Sequence, residues 1–194
     1  MGLPVGAYGA PVPWAVEASG ATLPIDGSWR ANAALSLVPR DTEAGRAELM
    51  AGWFGDAWCD LPDPGAALAA ACEWHDSAWS QLSYGAGRGG GRSEPPRQLL
   101  DLGEDSLIVR ADFLRLYRMD LSSDSLSGMG WHEFVGLLLA LIRTQGSLVC
   151  AAVSARAYEG GARGAARKRA EALLEAWALP PSESELIEMA RAAF

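Results

Sequence analysis

A chain of 194 residues with 49% apolar and 21% charged side chains has ordinary globular composition, far from that of disordered chains. Sixteen basic residues against 24 acidic ones leave a net charge of −8, which removes any overall electrostatic reason to approach nucleic acid or an anionic membrane. Three cysteines, Cys59, Cys72 and Cys150, are too few and too irregular for a disulfide framework and read as reduced thiols. The first sixteen residues lack a basic region and carry Pro4, Pro11 and Pro13, unlike a signal peptide, and the apolar run Val135 to Ile142 is too short for a bilayer. The expectation is a soluble, cytoplasmic protein without a membrane partner.

Residues 1–13 are mostly Gly, Pro and Ala and read as a flexible arm. Trp14 to Ala18 and Ala21 to Ile25 flank a Ser19-Gly20 turn signal, which predicts a small β-hairpin with Gly20 at positive φ and Pro24 marking an edge strand. Trp29, Ala33 and Leu37 then share helical spacing up to Pro39. Asp41 offers an N-cap for a helix ending at Gly55, with Ala47, Met50, Trp53 and Phe54 on one face. Asp63-Pro64 opens the next helix, to about Tyr84, with Leu68, Cys72, His75, Trp79 and Leu82 in one stripe.

Residues 85–97, rich in Gly, Pro and Arg, read as a flexible connector. An amphipathic helix over about 103–119 places Leu107, Ala111, Leu114 and Tyr117 inward, and a helix over 131–144 carries Trp131, Phe134, Leu138 and Leu141. Those two are expected to form the heart of one core. Helices over 147–158 and 162–178 follow, and Ser182 with Glu185 forms a capping box for a last helix over 182–194. The fold class is mainly α: a single helical domain of about six to eight helices over 14–181, with a small N-terminal β-hairpin.

Few residues announce chemistry. Gly85, Gly87 and Gly90 match a dinucleotide fingerprint, but no strand precedes them and Pro95-Pro96 follows. Cys59, Cys72 and His75 lack the paired close ligands of a structural zinc site, and neither His75 nor His132 sits in a local nucleophile signature. Glu104-Asp105 is read as a pair of acids meeting a helix dipole. No catalytic residue, cofactor or metal is therefore expected. Two features suit a protein partner: the tryptophans, with Trp53, Phe54, Trp58, Trp74 and Trp79 as candidate contacts, and the cations Arg163, Arg167, Lys168 and Arg169, which suit either a solvated helix face or an acidic partner.

The segment LIVRADFLRLYRMDL, Leu107 to Leu121, followed by Trp131, Phe134 and Leu137-Leu138, resembles the Gp15-type bacteriophage proteins. Gly20 to Ile25 with Trp29-Arg30, Trp53-Phe54-Gly55, and Arg167-Lys168 running to Leu179-Pro180 are similar to that family's other motifs in the same order, over residues 15 to 181. The sequence departs from the pattern at His132, Glu133 and Leu141-Ile142-Arg143. The resemblance implies a non-catalytic tail assembly chaperone of a long-tailed phage or prophage, acting in the bacterial host cytoplasm. It would bind the tape-measure protein, hand it to the tail tube protein, and not remain in the virion; a homo-oligomer is compatible with this. A structural tail or head-completion component is the alternative.

Overall fold

The computed structural model describes residues 14–79, 99–158 and 163–181. The expected arm, the 85–97 connector, the end of the third helix near Tyr84 and the 182–194 helix lie outside the described residues. Seven α-helices and one two-stranded antiparallel sheet make the described fold mainly α with a small β-hairpin. The chain divides into two compact units, one formed by Met1–Gly91 and Asp120–Leu139, the other by Arg92–Met119 and Ala140–Phe194.

In the first unit, β1 (Ala15–Ala18) and β2 (Ala21–Pro24) pair with Val16 opposite Leu23. Ser19 (φ 48°) and Gly20 (φ 79°) both take the left-handed conformation that a two-residue hairpin turn of matching twist requires. Helix α1 (Trp29–Leu35) buries Trp29, Asn32 and Leu35, not the expected Trp29, Ala33, Leu37 set; Leu37 lies beyond the helix and is 53% exposed. Helix α2 (Glu43–Phe54) is capped by Thr42, one residue after the expected Asp41, because the Thr42 hydroxyl accepts from Gly45 N–H. Gly55 (φ 60°) stops it, and a 3-10 turn (Gly55–Asp60) leads to α3 (Pro64–Ser77), whose Asp63 carboxylate accepts from Ala66 N–H.

Helix α5 (Trp131–Arg143) starts where a two-residue bridge ties it to α1: Trp29 N–H donates to Met129 O, and Trp131 N–H donates to Gly27 O. The loop before it is anchored by Arg30, which donates to the carbonyls of Leu121 and Ser123, and by the Trp29 indole, which donates to Leu126 O. Val16, Ile25, Leu35, Leu49, Trp53 and Ala71 form one buried cluster, and Trp131, Phe134, Val135, Leu138 and Leu139 are also buried.

The second unit contains α4 (Ser106–Asp112), continued by one π-helical turn (Phe113–Tyr117), then α6 (Leu148–Arg156) and α7 (Gly164–Ala176). The inward face of α4 is Val109 and Asp112, followed by Phe113 in the π turn. The expected inward stripe is corrected here: Leu107 is 76% exposed, Leu114 is 50% exposed, and Ala111 faces solvent. The cause is polar. Asp112 is fully buried because its carboxylate accepts from Ser147 Oγ (2.7 Å), Val149 N–H (3.0 Å) and Arg115 Nη2 (2.7 Å), closing the N-terminus of α6.

Candidate functional site

The most polar buried place in the first unit is around His75, on the last turn of α3. Its Nε2 lies 3.0 Å from Ser36 Oγ and 3.3 Å from the Asn32 carbonyl oxygen, and its Nδ1 lies 3.0 Å from Asp76 Oδ1. Ser36, His75 and Asp76 thus have the connectivity of a nucleophile, base and orienting acid, a relationship that no local spacing announced because Ser36 lies 39 residues from His75. The proton arrangement differs from that of an activated serine. Ser36 Oγ donates its only hydrogen to Asn32 O at 2.7 Å, and two oxygen acceptors face His75 Nε2, so the imidazole N–H donates toward the serine. Arg40 grips Asp76 through two 2.7 Å bonds and lies 3.2 Å from His75 Nδ1. Burial pushes the Asp76 carboxyl up, but the contacts from Arg40 and His75 outweigh it and hold it below the usual carboxylate range. The group is a hydrogen-bonded strut joining α1 to α3.

Aromatic rings surround that strut. His75 stacks on Trp131 with centroids 4.7 Å apart, Trp131 stacks near Phe134 at 5.8 Å, and Phe134 stacks on Trp29 at 4.9 Å. The Trp131 indole donates to His75 O at 2.9 Å, and the Trp53 indole donates to Asn32 Oδ1 at 2.8 Å. His132 lies edge-on to Trp74 and 2.9 Å from Ser77 Oγ; burial is the main reason its pKa falls below the ordinary histidine value, with His75 nearby adding to it.

These contacts relocate the expected partner surface. Trp53 is corrected to a core residue, 2% exposed and hydrogen-bonded. Phe54, Trp58, Trp74 and Trp79 are half-buried against different neighbours: Trp58 with Phe54 against Ala18, Met50 and Ala67, Trp74 against His132, Trp79 edge-on to Trp131. Cys59 is exposed and Cys72 half-buried; among the described residues no three His, Cys, Asp or Glu side chains gather as a metal site. No single helix among them is long and apolar enough to cross a membrane.

Among the described residues, most of the large exposed apolar side chains are in the second unit. Among the described residues, Leu107, Leu114, Leu116, Leu148 and Leu173 are exposed large hydrophobic residues of this unit, and Leu37 is one of the first unit. Leu114 and Leu116 lie in the π-helical turn that follows Asp112, and Leu148 precedes Val149, whose N–H donates to Asp112. Helix α7 has no buried residue at all, and Leu173 is 46% exposed. Arg163, Arg167 and Lys168 are all exposed on it, with Arg167 paired to Glu171 at 2.7 Å. A contiguous group of leucines on a surface marks an interaction face, whereas leucines exposed singly are ordinary.

Charge divides along the same line. The first unit holds 13 acidic residues and four arginines, net −9, and the second holds 11 acidic and 12 basic residues, net +1. No family model, curated protein or solved structure matches the chain.

Proposed function

We propose that this protein is a non-catalytic binding protein that holds apolar helices of a larger partner in solution, as a phage tail assembly chaperone holds the tape-measure protein before tail tube subunits polymerise on it. The observation that carries the reading is the set Leu107, Leu114, Leu116, Leu148 and Leu173, exposed on one unit while the other supplies a net charge of −9. A holding protein needs apolar side chains presented to its client and a strongly charged remainder that keeps the complex soluble. The hydrogen-bonding of Ser36 to its own helix, and of Asp76 to Arg40, gives the His75 group a structural task. A virion component with the same surface is the second reading, distinguished by whether the protein is found in purified particles.

The test is co-expression with an apolar helical segment of the tape-measure protein. The segment stays soluble and co-purifies with this chain, and Leu107→Asp with Leu114→Asp reduces the soluble fraction without altering the far-UV circular dichroism of the chain. A client that is equally soluble with the double variant, or insoluble with the native chain, overturns the reading.

A further inference from the structure

We infer that α7 of one copy docks on the acidic first unit of a second copy. This inference rests on charge distribution and on α7 itself, and does not depend on the tape-measure reading.

Four cations, Arg163, Arg167, Lys168 and Arg169, occupy the N-terminal end of α7, while its acids, Glu171 and Glu175, lie toward the C-terminal end. The helix carries no acid in its first turn, no basic residue in its last, and no side-chain cap, so its charges oppose its own macrodipole. Thirteen residues arranged this way make a marginal helix in isolation. The neighbouring α6 holds it at its far end, where Arg156 Nε donates to Trp177 O at 2.6 Å, yet no α7 residue becomes buried. Cations placed against the dipole and a leucine left 46% exposed are both costs to the isolated chain, and both are relieved by an acidic surface with apolar contacts beside the helix.

The chain itself supplies such a surface. Thirteen carboxylates against four arginines make the first unit the chain's main negative region, and it also presents the half-buried Trp58 between Asp56 and Asp60, which are exposed. The occupant is therefore a second copy, matched by charge complementarity. At about 0.1 M salt the Debye length is near 10 Å, so repulsion between two net negative molecules is largely screened while contacting pairs persist; about 1 M salt shortens it to roughly 3 Å.

Sedimentation velocity on the full chain, without any client, tests this. The weight-average mass rises over a roughly hundredfold concentration range at about 0.1 M salt, and association weakens at least tenfold at about 1 M. Arg163→Glu, Lys168→Glu and Arg169→Glu together abolish association while the far-UV circular dichroism stays that of a folded chain. Asp56→Lys with Asp60→Lys weakens it too, and mixing the two variants restores a mixed complex. A single-chain mass at every concentration overturns the inference, as does association that resists salt or survives the α7 reversal.

Discussion

Arg156 closes on Asp105 through two hydrogen bonds of 2.6 and 2.8 Å, with both side chains about 5% exposed. The same guanidinium donates to the carbonyls of Leu99 and Trp177, and the carboxylate also accepts from Asp101 N–H. One arginine thereby joins the chain entering α4, the end of α6 and the end of α7. Removing one partner strands a buried charge, so Asp105→Ala costs about 3–5 kcal/mol in urea unfolding, whereas Asp105→Leu with Arg156→Met costs clearly less than the sum of the single changes. A double variant whose loss equals the sum of the two single losses would show that the charges are not coupled.

Phe134 lies in the stacked series with Trp29 and Trp131 and is 2% exposed, so Phe134→Ala lowers stability by about 3–5 kcal/mol. Leu107, 76% exposed, gives the opposite result: Leu107→Ala stays within about 0.5 kcal/mol. The pair, measured side by side by thermal unfolding, checks which aliphatic and aromatic positions are core.

Asp112→Ala removes the acceptor for Ser147 Oγ and Val149 N–H, both at buried residues, and each orphaned donor costs about 1–3 kcal/mol. Asp112→Asn, which keeps one carbonyl oxygen, loses less. Native-state hydrogen exchange at the start of α6 reads this directly, with the first-turn amides of α6 exchanging faster in Asp112→Ala.

His132 gives the protein an acid-sensitive component of stability. Its folded pKa is depressed, first by burial and then by His75, so below the unfolded value of 6.5 the unfolded chain binds the proton more readily. Stability contributed by neutral His132 is present above about pH 6.5 and declines as pH falls through that value toward the folded pKa. Asp63, Asp76 and Asp112, also depressed, act only below their ordinary value of 3.8. Thermal midpoints measured from pH 8 to pH 5 therefore fall for the native chain and fall less for His132→Gln; parallel curves would remove His132 from the account.

The hairpin turn at Ser19-Gly20, the Asp63-Pro64 start of α3, the Gly55 stop and the apolar stripe of α5 were legible in the sequence, because each depends on residues within one turn or one period of one another. The orientation of α4 was not. Leu107, Ala111 and Leu114 form as regular a stripe as Val109, Asp112 and Phe113, and the choice between them depends on donors at Ser147 and Val149, over thirty residues away. The same separation hid Asp105, readable as an acid meeting a helix dipole but used to neutralise Arg156 across 51 residues. Tryptophan number alone pointed to a binding surface, whereas the Trp53 and Trp131 indole N–H groups find buried acceptors that hold those rings in the interior.

The first unit is interrupted by residues 92–119 and completed only by 120–139. Trp131, which caps His75 from above the ring, and Phe134, which stacks on Trp29, are therefore translated after the whole of α4. As the chain emerges from the ribosome, the hairpin and α1 to α3 wait with Trp29 lacking Phe134 and His75 lacking Trp131 until α5 is made. Closing that gap spans roughly a hundred residues, a long loop that slows folding and leaves the unfinished half dependent on synthesis reaching α5.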